Sequence, residues 1–258
     1  MKTSLNGKIA IVCGSTSGIG RACASLLAKK GASIVLAARN EEKLISTINN
    51  LDGEGHSYIC ADFNDPDNLK KKAIDHLNKI GLIHILINNS GGPPGGALID
   101  ANTEEFEIAF KRHVISSQIL TQLVVPGMKK NKYGRIINIT STSVNRVIPG
   151  LGVSNTIRGA VSQWVKTLAI ELGSYGITAN NILPGYINTD RLKNLLEDSA
   201  KKKNITYGQM VNETEKKTAL GRIGLPSDIA SAVAFIASEE GGYITGVNLS
   251  VDGGRFGV

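Results

Sequence analysis

Ile9-Ala10-Ile11-Val12-Cys13-Gly14-Ser15-Thr16-Ser17-Gly18-Ile19-Gly20 runs from a short apolar, β-rich segment through a glycine turn into an amphipathic stretch. Gly14, Gly18 and Gly20 give the pattern Gly-x-x-x-Gly-x-Gly at a strand-to-helix junction. At such a junction the first glycine permits the tight turn and the second lets backbone N–H groups approach a pyrophosphate. The third lets the helix pack close to the sheet, and the helix N-terminus stabilises the anion. Glycines occur at many strand-to-helix turns. It is the place at the first βα junction, near the start of the chain, that points to a dinucleotide site formed by Gly14, Ser15, Ser17, Gly18, Ile19 and Gly20.

Working outward, short apolar runs alternate with longer amphipathic ones. The strands predicted are Ile9–Cys13, Ser33–Ala38, His56–Ala61, Ile83–Asn88, Arg135–Thr140, Thr178–Leu183 and Asn248–Val251. Helical patterns lie between the first six, at about Ile19–Lys30, Glu41–Asn50, Asp67–Ile80, Thr103–Lys130 and Val153–Leu172. This alternation indicates βαβ units, and the near-continuous apolar character of the strands indicates a sheet covered on both faces. The expected fold is α/β, a single doubly wound Rossmann-type domain over residues 1–258 with a seven-stranded, mainly parallel sheet. The polar, weakly periodic stretch from Thr189 to Lys217 is read as a lid-like segment or a surface helix pair.

Composition agrees with this class. The chain has 258 residues, 41% hydrophobic, with 29 glycines and 5% aromatics. That length buries enough surface to need no metal or disulfide staple. Cys13, Cys23 and Cys60 are odd in number, lack metal-type spacing and read as small buried groups in a reducing compartment. The net charge of +7 is partly gathered in Lys70-Lys71-Lys72, Lys129-Lys130 and Lys201-Lys202-Lys203. These runs fall at helix ends or among mixed charges, without the aromatics or apolar face that a nucleic-acid or membrane surface would want. No run of about 18 apolar residues occurs. The expectations are a soluble cytoplasmic protein with no nucleic-acid partner and no membrane partner.

The end of the second strand selects between nicotinamide cofactors, because an acidic residue there binds the ribose 2′-hydroxyl and repels a 2′-phosphate. Here the residues are Ala38-Arg39-Asn40, with no carboxylate until Glu41. Arg39 offers a planar, permanently charged fork suited to a phosphate, so NADP(H) is favoured over NAD(H).

The glycine turn, Asn88-Asn89-Ser90-Gly91, Pro184-Gly185-Tyr186-Ile187-Asn188-Thr189 and Val251-Asp252-Gly253-Gly254 occur in the order and spacing of a known family. Over residues 6 to 254 the chain resembles the short-chain dehydrogenases/reductases, in particular the 3-oxoacyl-reductase-like branch. The resemblance implies that Asp62 accepts a hydrogen bond from adenine and that Asn89 flanks the adenine ribose. It also implies that Pro184, Gly185, Ile187 and Thr189 cover the nicotinamide and hold its carboxamide. The family often has a basic residue just before the middle glycine, where this chain has Ser17. The cofactor preference therefore rests mainly on Arg39, with help from the Ser15 hydroxyl. The family's oligomers imply a homotetramer, or a dimer, built on the helices at 103–130 and 153–172.

The resemblance breaks at the chemistry. Such enzymes carry a serine at the end of the fifth strand, a tyrosine thirteen residues on, a lysine four beyond that and an asparagine on the preceding helix. The serine is Ser141, within Ile136-Ile137-Asn138-Ile139-Thr140-Ser141. The tyrosine position is Ser154, the lysine position is Arg158, and aligning Phe106-Glu107-Ile108-Ala109-Phe110 puts His113 at the asparagine position. No tyrosine in the chain has a lysine four residues later. A serine hydroxyl is a far weaker acid than a tyrosine of pKa ~10. An arginine of pKa above ~12 binds ribose hydroxyls or presents charge but does not shuttle a proton at neutral pH. His113, with an ordinary pKa near ~6.5, is the one new group suited to acid–base work.

Three readings stay open at this stage. In one, His113 supplies the proton, through water or Ser154, while Ser141 orients a small-molecule carbonyl or acyl substrate. In the second, Tyr186 supplies it. In the third, the protein binds NADP as a scaffold or regulator without efficient catalysis. His113 packed against Arg158 in a purely structural role, and Ser154 and Arg158 as helix packing, stand beside the functional roles.

Overall fold

The computed structural model describes residues 4–256. Seven strands form one sheet: β1 (Ile9–Cys13), β2 (Ser33–Ala38), β3 (Ser57–Cys60), β4 (Ile85–Asn88), β5 (Gly134–Ile139), β6 (Ile177–Pro184) and β7 (Asn248–Val251). Their order is β3-β2-β1-β4-β5-β6-β7, and every pairing is parallel, including β6 with β7. The sheet is thus wholly parallel rather than mainly so. All seven expected strands form, with ends displaced by no more than two residues. Strand order reverses between β1 and β4, and the crevice at their C-terminal ends is where open α/β sheets place ligands.

The central strands β1, β2 and β4 are mostly apolar because both faces are covered. Ala10, Val12, Ile34, Leu36, Ile85 and Ile87 point into one core layer, under α1 (Gly18–Lys29) and part of α2 (Glu41–Ile48). Ile11, Val35, Ala37, Leu86 and Ile136 point into the other, under α3 (Pro66–Ile80), α5 (Ser116–Asn131) and α6 (Gly152–Leu172). The period-2 geometry of a strand divides one apolar run between two layers.

Two departures matter for the site. The helix expected over Thr103–Lys130 is interrupted. α4 (Thr103–Phe110) passes into one π turn at Lys111–Ile115 before α5 begins. The Ser116 hydroxyl donates to the Lys111 carbonyl at 3.0 Å and to the Phe63 carbonyl at 2.9 Å, satisfying acceptors at the bulge. A one-residue insertion barely disturbs hydrophobic periodicity, so the sequence pattern does not register it.

The second departure is a helix absent from the expected set. α9 (Pro226–Ala237) packs its buried Ile229, Ala230, Val233, Ala234 and Ile236 onto α1 and the sheet. Pro226 at its first position and Asp228, which accepts from the Leu225 N–H at 2.8 Å, are the start signal that was available. The stretch from Thr189 to Lys217 forms a helix pair, α7 (Asp190–Lys203) and α8 (Tyr207–Glu215). It has a small core of its own at Leu196, Ala200 and Met210. The last turn of α7 holds Lys201, Lys202 and Lys203, where positive charge complements the helix C-terminus. Among the described residues no helix is long and apolar enough to cross a membrane.

Candidate active site

The glycine turn leaves β1 and enters α1 at the reversal point. Gly14 has φ +58°, and a Cβ there would lie 2.7 Å from Asn89 Nδ2 and 2.8 Å from the Asn89 carbonyl oxygen. A Cβ on Gly20 would overlap the Gly14 carbonyl. Only hydrogen fits at either position, which is the steric cause of the motif. Asn89 Nδ2 donates to the Cys13 carbonyl at 3.2 Å and the Gly14 carbonyl at 3.4 Å, tying the loop after β4 to the turn after β1.

Ser15 is fully buried, and its hydroxyl has no partner among the described residues. Ser17 precedes α1 in extended conformation, with no side-chain cap over the first turn of N–H groups. A side-chain-free cradle, an orphaned hydroxyl and an uncapped helix N-terminus are what a pyrophosphate needs. Residues Gly14 to Gly20, with Ile19 in the first turn, fit that group.

The Pro184–Thr189 segment reaches the turn from the other side. The Thr189 methyl carbon lies 3.1 Å from the Cβ position of Gly18. The Thr189 hydroxyl donates to the Ile187 carbonyl at 3.2 Å and accepts from the Leu192 N–H at 3.3 Å, capping α7. Gly185 packs on Asp252, and Asn188 N–H donates to the Gly224 carbonyl at 2.8 Å. At the end of β2, Arg39 is exposed and enters no ion pair among the described residues. The nearest carboxylate in sequence, Glu41, accepts from the Tyr58 hydroxyl at 2.8 Å. Asp62 accepts from the Asn64 N–H at 2.9 Å in an Asx turn, and the cap before Pro66 is supplied by Asp65 instead.

The polar cluster beneath β4 and β5 has a different character. His113, carried on the π turn, is buried and hydrogen-bonded through Nδ1 to the Ser90 hydroxyl at 2.7 Å. Arg158 on α6 is also buried, and its Nη1 donates to the Ile139 carbonyl at 2.7 Å. These two side chains, with Asn88, Asn138 and Ser90, line a cavity of about 10 Å³, the size of one water. His113 Nε2, Arg158 Nε, Asn88 Nδ2 and Asn138 Nδ2 have no partner among the described residues.

Charge in this cluster runs one way. Burial, then the Arg158 and Arg112 guanidiniums, push the His113 imidazole well below its usual value, outweighing the Gly91 carbonyl. His113 is therefore neutral at pH 7. Burial and then Arg191 push Arg158 down to about 10, which leaves it cationic at neutral pH. Burial raises the Cys13 and Cys23 thiols to about 12, which removes thiolate chemistry from the crevice.

His113, Arg158 and Asn89 thus share one cavity, while Ser141 and Ser154 do not line it. Ser141 follows β5 by two residues and accepts from the Ser143 N–H at 3.1 Å, capping the short turn at Thr142–Val144. Ser154 is buried one helical turn before Arg158, and its hydroxyl makes no hydrogen bond among the described residues. The Tyr186 ring is covered by the Arg255 guanidinium at 3.7 Å. The role of Ser90 was missed in the sequence. Its signal was a hydroxyl where the resembling motif, Asn-Asn-Ala-Gly, has alanine.

A family model described as enoyl-(acyl carrier protein) reductase matches residues 14–255. The 3-oxoacyl-(acyl-carrier-protein) reductase FabG of Haemophilus influenzae is 35% identical over 252 residues, covering 98% of this chain and 99% of that protein. The chain belongs to the short-chain dehydrogenase/reductase family. The 7alpha-hydroxysteroid dehydrogenase of Escherichia coli K12 is 32% identical over 253 residues, covering 97% of this chain and 94% of that one. The crystal structure of L-sorbose reductase from Gluconobacter frateurii, complexed with NADPH and L-sorbose, superposes with a TM-score of 0.93 at 27% identity, with both chains fully covered. The relatives matched over the whole length are oxidoreductases of this family.

Proposed function

We propose that the protein is an NADP(H)-dependent oxidoreductase that interconverts a carbonyl and an alcohol, with His113 moving the proton. One observation carries this reading: a neutral imidazole held by Ser90, with Nε2 unpaired in a cavity beside a buried cation. The glycine cradle, the orphaned Ser15 hydroxyl and the unpaired Arg39 suit NADP(H), and L-sorbose reductase, a close structural likeness, binds NADPH. When bound, the nicotinamide supplies or accepts the hydride.

The chain's own residues have three tasks. Arg158 presents fixed positive charge beside the fifth strand, which favours negative charge developing on a substrate oxygen. Ser141, next along from that strand, offers a hydroxyl to orient the carbonyl. His113 acts as a relay rather than as a standing acid. A neutral ring accepts a proton on one nitrogen as it releases one from the other. With Ser90 on Nδ1, the relay runs between that hydroxyl and the cavity at Nε2. In the oxidative direction the same neutral ring serves as base. The α7–α8 pair acts as a lid over the crevice, and the protein assembles as a homotetramer or dimer in the cytoplasm.

NADPH oxidation over a ketone and aldehyde panel tests this reading, with wild type beside His113→Asn. Turnover reduced at least 100-fold in the variant, with unchanged NADPH affinity by fluorescence titration, is expected. Equal turnover in the two proteins removes His113 from proton transfer. Tight NADPH binding without turnover of any carbonyl compound identifies a binding protein instead.

A further inference from the structure

Arg158 and Arg191 form a cationic pair that the phosphate cradle at the glycine turn does not account for. Arg191 lies in the first turn of α7 and donates from Nη2 to the Pro93 carbonyl at 2.6 Å. Arg158 reaches the same loop from α6. A Cβ built on Gly92 would stand 3.7 Å from Nη2 of Arg158 and 3.7 Å from Nη2 of Arg191. The two guanidiniums therefore flank one point on a loop, Gly91-Gly92-Pro93-Pro94-Gly95-Gly96, that projects almost no side chain. Nothing lies within 4 Å of a Cβ placed on Gly91 or Gly96, so the loop is open at both of those positions.

Among the described residues neither guanidinium has a counter-ion. Among the described residues the ion pairs involve Lys8, Arg135, Lys193, Lys203 and Arg222, but not Arg158 or Arg191. No carboxylate acts on either group, and each feels mainly burial, with Arg191 acting on Arg158. Arg158 Nε, in addition, has no hydrogen-bond partner. Two like charges drawn together, one of them buried, cost free energy that a protein recovers when an anion joins them.

The pair stands apart from the phosphate cradle. The glycine turn and α1 suit the pyrophosphate, and Arg39 stands at the far end of β2. Arg158 is bonded to Ile139 at the end of β5 and shares a cavity with His113, away from the glycine turn's first N–H groups. Two planar guanidinium forks match a carboxylate, which takes paired N–H···O bonds.

We propose that Arg158 and Arg191 together hold the carboxylate of the substrate, so that the protein acts on a free oxo acid or hydroxy acid rather than on a neutral ketone or a carrier-bound thioester. This rests on the oxidoreductase reading for what the anion is.

The test is calorimetric titration of the protein saturated with NADP+, using pyruvate, acetoacetate and levulinate, each beside its methyl ester. At least one acid is expected to bind 10-fold or more tightly than its ester. Arg191→Leu should bring that pair to within about 2-fold, the scale of losing one bidentate contact, while NADPH affinity stays within 2-fold. Arg158→Met should abolish the same preference. Lack of binding by all three acids, or equal affinity for acids and esters, overturns the proposal. A parallel loss of NADPH and acid affinity in Arg191→Leu also overturns it, because the pair is then a cofactor clamp. Acid binding that depends on Arg191 without NADPH turnover keeps the anion site and removes the reductase reading. Turnover of acids and esters alike does the reverse.

Discussion

The turn at Gly14–Gly20 and the cluster at His113–Arg158 lie near the C-terminal ends of neighbouring strands of one sheet, yet they are built on opposite principles. The turn works by leaving things out: Gly14 and Gly20 have no room for a Cβ, and α1 begins without a side-chain cap. Its chemistry is carried by backbone N–H groups whose positions follow from chain geometry. The cluster works by enclosing things that prefer water. It buries an imidazole and a guanidinium with polar atoms left unpaired and, among the described residues, no carboxylate to compensate. The turn is therefore indifferent to pH, while the cluster has its charge state set by packing. Kinship alone therefore does not assign the group that moves the proton.

The contrast can be broken most decisively at the turn. Gly20→Ala sets a Cβ into the Gly14 carbonyl, a backbone group with nowhere to move. A cost of about 3 kcal/mol or more is expected, seen as a fall in thermal midpoint together with loss of NADPH binding. A stable variant with normal affinity would show that the turn tolerates what its geometry forbids.

Arg158→Met is the matching change in the cluster and should act on function without harming stability. The apo protein should melt at the same temperature or higher, since replacing a buried unpaired charge by an apolar chain gains on the scale of ~1–3 kcal/mol. Turnover should fall on the order of 100-fold. A marked loss of stability would instead make Arg158 a structural brace for the Ile139 carbonyl.

Protonation separates the two regions next. The folded-state pKa of His113 is depressed, so the unfolded chain binds the proton more readily. Its contribution is present above the unfolded value near ~6.5 and is lost as pH falls through the folded value, at up to about 1.4 kcal/mol per pH unit. His76 and His84 are depressed too, by burial first, and add to the same acid limb. Denaturant unfolding between pH 7 and 4.5 should show His113→Asn less acid-sensitive than wild type. Identical slopes would place the neutral form of His113 in doubt.

The smallest effect sharpens the cofactor side. Arg39→Asp should weaken NADPH by about 10- to 100-fold, as for a lost charge-assisted hydrogen bond, and change NADH little. Equal losses for both cofactors would show that Arg39 does not read the 2′-phosphate.

Most of the fold was legible because its signals are local. Each strand is an apolar run whose neighbours are turn residues, and each main helix but one showed its period. α9 lies outside the expected helices although Leu225-Pro226-Ser227-Asp228 announces it. The π turn at Lys111–Ile115 was not legible, because one extra residue scarcely changes a helical pattern and Ser116 stabilises it through Phe63, far away in sequence. In the candidate site, the family resemblance pointed to Ser141, Ser154, Arg158 and His113, of which His113 and Arg158 share a cavity, but not to Ser90 beside His113 or Arg191 beside Arg158. Both pairings run between elements distant in the chain.

Gly-x-x-x-Gly-x-Gly, the strand–helix alternation and the Arg39 position are determined by sequence alone, because steric exclusion at a glycine and the period of an apolar face are properties of adjacent residues. The charge of His113, the closeness of Arg158 to Arg191 and the choice of which donors go unpaired were decided only by tertiary structure. Those depend on how much water is removed from a group and which charges remain near it, and that is settled when α4, α6 and α7 close on the ends of β4 and β5.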